Sequence, residues 1–186
     1  ELHLGVFSNE TREPGRLIRL FDGILPDTKP DRKKQKPDFE ALTRLPPHDG
    51  YPDGALLALG SGSKRNRRMG ALIGLGPDRA VRDRPRAVDL SPLLGPLDDN
   101  FAKLNIEGAV VNRSDFCLFQ RGNSRHAINA IIRFPLADLL DALAQGRTSA
   151  IKPSAIHSFD LGHIADAPFC FTDATSLPDG NMIFTA

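Results

Sequence analysis

Short apolar runs alternate with polar turns along most of the chain. Ala55 to Leu59, Gly70 to Leu75, Phe116 to Phe119 and Asn129 to Phe134 are bounded by clusters of Gly, Pro, Asp, Asn and Ser. Apolar runs of that length between such turn residues predict β-strands joined as hairpins. One segment follows a different period. Pro135 opens it, Leu136, Leu139, Leu140 and Leu143 fall at i, i+3, i+4 and i+7, and Gly146 closes it. That spacing predicts a helix over 135–146, its leucines covering the outside or bottom of the adjoining sheet.

The strands recur as a unit. Asp38-Phe39-Glu40-Ala41-Leu42, Asn105-Ile106-Glu107-Gly108-Ala109 and Phe171-Thr172-Asp173-Ala174-Thr175 resemble one another, and their central acids lie 67 and 66 residues apart. After each comes a turn, Pro52-Asp53-Gly54, Asn112-Arg113-Ser114-Asp115 or Pro178-Asp179-Gly180, and then a second apolar run. Third strands are expected at Gly70 to Leu75 and Asn129 to Phe134, and fourth strands at Arg86 to Leu90 and Ala155 to Leu161. Four short antiparallel strands repeated at this interval predict an all-β chain, a β-propeller segment of four-stranded antiparallel blades. The division is a half blade at 1–30, a blade at 31–97, a blade with the inserted helix 135–146 at 98–165, and a half blade at 166–186. About three blades do not close a ring, because propellers use about four to eight. The remainder of the propeller, or a second chain, is therefore expected to complete it.

Composition narrows the function classes. The chain has 24 Lys+Arg against 23 Asp+Glu, 40% apolar residues, 2 Cys and no Trp, which excludes collagen-like, disordered and disulfide-scaffold classes. No run approaches the roughly 20 uncharged apolar residues of a membrane helix, so no membrane partner is expected. Cys117 and Cys170 lack any metal or redox spacing and read as buried free thiols. Gly60-Ser61-Gly62-Ser63-Lys64 lacks the spacer of a P-loop, and His3, His48, His126, His157 and His163 are scattered without zinc spacing. Nucleic-acid binding needs basic residues interleaved with stacking aromatics, and the one Tyr, Tyr51, lies in a different loop set from the basic residues, so no nucleic-acid partner is expected.

What remains is charge placed by the repeat. In this strand order the loops from second to third strand, and from fourth strand to the next first, emerge on one face. Arg32, Lys33, Lys34 and Lys36 precede the first acid, Lys64, Arg65, Arg67 and Arg68 occupy one such loop, and Arg121, Arg125 and His126 occupy its equivalent. Lys64, Arg65, Arg68, Arg121, Arg125 and His126 are the candidate anion-binding residues, for an anionic small molecule, with plainly solvated loops as the other reading. Glu40, Glu107 and Asp173 open the innermost strands and would converge at the mouth of a central channel. Either they hold a hard cation such as calcium, or each accepts backbone N–H groups from the neighbouring blade. No catalytic residue is assigned.

Phe39-Glu40-Ala41-Leu42 and Ile106-Glu107-Gly108-Ala109, each followed by a short strand, resemble the blade openings of the phytase-like propellers, which include the family called esterase-like activity of phytase. Ala55 to Arg68, with its Leu59-Gly60-Ser61-Gly62-Ser63 core, is most similar to an uncharacterised bacterial branch of that group. The resemblance implies a five- or six-bladed ring, and relatives that bind calcium and hydrolyse phosphate esters at acidic, metal-lined sites. Two functions are thus expected: a ligand- or partner-binding scaffold that uses its basic loop face, or a calcium-assisted hydrolase of an anionic ester.

Overall fold

The computed structural model describes residues 2–82, 84–122, 128–146 and 150–186. It is mostly β, with 41% of residues in strands and 16% in helices. β1 (His3–Val6) and β2 (Arg16–Arg19) form an antiparallel ribbon, followed by α1 (Lys29–Gln35). β3 (Phe39–Leu45), β4 (Ala55–Gly60), β5 (Met69–Gly74) and β6 (Arg86–Asp89) make a four-stranded antiparallel meander in chain order. A linker containing α2 (Ser91–Leu94) and a 3₁₀ turn at Gly95–Asp99 leads to the second meander. That sheet comprises β7 (Ile106–Asn112), β8 (Asp115–Gln120), β9 (Asn129–Pro135) and β10 (Ala155–Phe159), with α3 (Leu136–Gln145) between its last two strands. Two ribbons follow, β11 (His163–Ile164) with β12 (Ala167–Pro168), and β13 (Asp173–Ser176) with β14 (Met182–Thr185).

The unbroken apolar runs have a packing reason. Successive side chains of a strand point to opposite faces, and in both meanders each face meets a different core. Leu57 and Leu59 of β4, Leu72 of β5, Phe116 and Leu118 of β8, and Ile132 and Phe134 of β9 share the large core between the meanders. The alternate residues Ala58, Ala71 and Ile73 pack instead with Ile18 and Leu20 of the β1–β2 unit. Cys117, Phe119 and Ile131 pack with Val110 and Phe171, and with Ala174 and Met182 of the β13–β14 ribbon. The sheets therefore stack in chain order, and strands buried on both faces have no polar side to show.

β3 packs beside β7 and β7 beside β13. Gly108 makes the second approach feasible, since a Cβ there would sit 3.2 Å from the Ala174 backbone nitrogen. Both β3 and β7 are irregular at the same place, with Glu40 falling at a register shift between Phe39 and Ala41 and Glu107 at one between Ile106 and Gly108. The helix predicted over 135–146 forms as Leu136–Gln145 and ends on Gly146 at φ 59°. Its Leu136, Leu139 and Leu143 enter the large core together with residues of both meanders, a deeper position than the outer cover expected of them. No described helix is long and apolar enough to cross a membrane.

α1, the α2 linker and the β11–β12 ribbon were not expected. α1 has an orthodox start, because Thr28 accepts from the Asp31 amide at 3.3 Å and Pro30 occupies the first turn. Its residues are polar throughout and none is buried, so no apolar stripe announced it.

Candidate basic site

The loops at one end of the meanders are stitched together. The Asn66 Nδ2 donates to the Lys36 carbonyl at 3.0 Å, joining the segment before β3 to the β4–β5 loop. Arg68 pairs with Asp98 at 2.5 Å, and the Ile106 amide donates to the Ser61 carbonyl at 2.8 Å, so the α2–β7 linker joins the same end. The Arg121 amide donates to the Asn105 carbonyl at 2.8 Å, which adds the start of the β8–β9 loop. Two segments rich in Lys and Arg, 29–36 and 64–68, thus meet at one end, joined there by the α2–β7 linker and by Arg121.

A cleft of about 470 Å³ at that end is lined by Lys29, Arg32, Lys33, Lys36, Asp38 and Arg67. Its floor is an ion triad. Asp38 is 7% exposed and sits at φ 58°, a left-handed conformation uncommon outside glycine. Lys36 Nζ lies 2.5 Å from Oδ1 of that carboxylate and Arg67 Nη1 lies 2.6 Å from Oδ2. Arg67 also donates to Ser63 Oγ at 3.0 Å and to the Lys33 carbonyl at 3.4 Å, while its buried Nε has no hydrogen-bond partner. A 3₁₀ turn at Arg65–Arg67 carries this guanidinium inward, whereas Lys64 and Arg65 stay exposed.

The predicted anion-binding residues divide. Lys64 and Arg65 are exposed at the basic end, but neither lines the cleft. Arg68 is committed to Asp98 and donates to the Gly62 carbonyl at 3.3 Å. Arg121 is committed to Glu107 at 3.2 Å. Arg125 and His126 lie outside the described residues.

The three predicted acids do not all line one cleft. Glu40 and Asp173 border one cleft of about 410 Å³, together with His3, Leu42 and Thr172. Glu107 does not line it; that carboxylate accepts from Asn105 Nδ2 at 2.6 Å and pairs with Arg121. Asp173 Oδ1 accepts from the amide of Ala174, the next residue of its own strand, at 2.7 Å. Among the described residues Glu107 is thus held by two side chains of its own repeat unit. Among the described residues no three His, Cys, Asp or Glu side chains are grouped to hold a metal ion.

Asp38 and Arg67 were the residues that sequence reading undervalued. Asp38 was visible only as part of the repeat motif, and Arg67 only as one of four basic loop residues. What distinguishes them, burial against each other, depends on α1 lying over the β4–β5 loop. Neighbouring units are tied by other groups. The Asn112 Nδ2 donates to the Gly180 carbonyl at 3.0 Å, and Asn129 Oδ1 accepts from Gly122 and Phe171 amides at 3.0 and 3.1 Å. Cys117 is buried and Cys170 half-buried, both as free thiols.

Residues 32–186 match the model of a family of unknown function, DUF6910, and the chain belongs to that family. No curated protein and no solved structure matches the chain.

Proposed function

We propose that this DUF6910 member is a segment of a β-propeller that acts as a binding scaffold, taking an anionic ligand or partner on the basic end of its stacked sheets. The observation that carries the reading is the convergence of two Lys- and Arg-rich segments, 29–36 and 64–68, on that end in a chain whose net charge is only +1. A locally positive surface on a nearly neutral protein concentrates anions there, and Arg and Lys supply donors to phosphate or carboxylate groups. The propeller reading draws on the stacking of successive four-stranded meanders with β3, β7 and β13 side by side. Among the described residues β1 pairs only with β2 and β14 only with β13. In a ring, those ribbons are where further blades, from the same polypeptide or a second chain, join.

Retention on phosphocellulose tests the binding reading. The wild type should be retained at low salt and released as salt rises, and Lys64→Glu/Arg65→Glu should elute earlier. A charge-matched change at other exposed positions, Arg84→Glu/Lys152→Glu, should elute later than that variant. Identical elution of the two variants would make the attraction a matter of net charge and end the reading.

A calcium-assisted hydrolase is the second reading, drawn from Glu40 and Asp173 at one cleft and from the resemblance of the blade openings. Calorimetric titration with calcium, and hydrolysis of a generic aryl phosphate with Glu40→Gln as control, test it. Absence of both signals removes it.

A further inference from the structure

We infer that the cleft between α1 and the β4–β5 loop binds a compact, multiply charged oxyanion of the polyphosphate type. This deepens the binding-scaffold reading and rests on it, adding where on the basic end the ligand sits and what charge it carries.

Five cations and one carboxylate line the cleft, an excess of four positive charges around about 470 Å³. Four of the five, Lys29, Arg32, Lys33 and Lys36, fall at i, i+3, i+4 and i+7 along α1 and its C-cap. That spacing places them on one helical face, where like charges at i, i+4 destabilise the helix that carries them. The opposite arrangement is also present: Lys34 Nζ lies 3.0 Å from Asp31 Oδ1, a favourable i, i+3 pair that does not line the cleft. Helical spacing thus gathers cations where the cleft opens and provides a compensating acid elsewhere.

The floor is preorganised. Lys36 and Arg67 hold Asp38 from two sides, and Arg67 is 8% exposed with an unpartnered Nε. Arg32 Nη1 donates to the Asp27 carbonyl at 3.1 Å, which fixes its fork at the rim. Lys29 and Lys33 are exposed and have no ion-pair partner among the described residues. A monovalent anion offsets one charge of four. Carboxylates along an extended peptide, spaced at roughly 3.3 Å per residue and pointing to alternate sides, spread their charge beyond one small cleft. Adjacent phosphate groups deliver it in one place.

Isothermal titration with tripolyphosphate tests the site, with circular dichroism confirming that each variant is folded. The wild type should bind one equivalent, more weakly as NaCl rises. Lys29→Ala/Lys33→Ala should weaken binding roughly tenfold or more, from the loss of two charged contacts, whereas the charge-matched Arg84→Ala/Lys152→Ala should stay within about threefold of wild type, as expected of exposed charges outside the cleft. Equal losses in the two variants, or a larger loss in the second, would place the anion elsewhere and overturn the assignment while leaving a basic ligand-binding end. No tripolyphosphate binding despite phosphocellulose retention overturns the cleft alone; failure of both overturns the cleft and the scaffold reading together.

Discussion

Asp38 is the residue on which the basic end turns. Its carboxylate lies between Lys36 and Arg67, and removing it would leave Arg67, 8% exposed, without its ion pair. Breaking a buried pair by deleting one partner costs about 3–5 kcal/mol, whereas replacing both by apolar groups is often neutral. Asp38→Ala is therefore expected to lower stability by about 3 kcal/mol, and Asp38→Ala/Arg67→Met by clearly less than the sum of the single changes, read from urea midpoints. Gly60 supports the same corner by its lack of a side chain. A Cβ there would meet the Arg67 carbonyl oxygen at 2.4 Å and the Pro37 carbonyl oxygen at 2.6 Å, so Gly60→Ala should cost about 1–3 kcal/mol. Burial pushes the Cys117 thiol up to about 11 from an ordinary 9.0, the nearby Arg133 opposing the shift. A raised thiol value means the fold favours the neutral form: that stabilisation is complete below pH 9 and is lost as pH rises towards 11. Urea midpoints at pH 8 and 10.5 should fall less for Cys117→Ala than for wild type. Before unfolding, Cys117 should also resist alkylation longer than the half-buried Cys170.

At the level of elements, the strands of the two meanders were legible and the polar helix α1 was not. Period and turn chemistry placed both four-stranded meanders and the helix after Pro135, because each of those segments buries apolar residues in a recurring order. The stripe of leucines on α3 gives a direct check. Leu139 is 2% exposed, and Leu139→Ala should cost about 2–5 kcal/mol with α3 still packed on its sheet, measurable by thermal or urea unfolding. α1 buries nothing, and its one sequence signal, Thr28 three residues ahead of Asp31, lies inside a run of lysines and arginines that reads equally as loop. The candidate site shared that fate. Basic residues were assigned to the correct loops, but the division of labour among them was hidden. Arg68 and Arg121 are spoken for by Asp98 and Glu107, partners 30 and 14 residues away, and spacing alone could not pair them.

Over the whole molecule, the large core joins the two meanders and the smaller cores fasten the β1–β2 and β13–β14 units to either side. Stability in such an array is approximately a sum over neighbouring contacts. Amide exchange should therefore be slowest in β4, β5, β8 and β9, and fastest in the ribbons, each of which packs on one meander only. The recurrence of the acids at 67 and 66 residues was readable because it reflects this stacking, whereas the pairing of Glu107 with Arg121 was not, since it joins side chains that meet only in the fold.

The two-sided burial of β4 has a consequence for how such a chain tolerates change. Leu57 and Leu59 belong to one core and Ala58 to another, so inserting a single residue into the strand would deliver leucines to a space shaped for alanine and leave a void on the far side. One frame error would spoil two interfaces together. Variation in length is consequently confined to the connections, where it can reshape the basic end so long as the buried Asp38–Arg67 pair is kept.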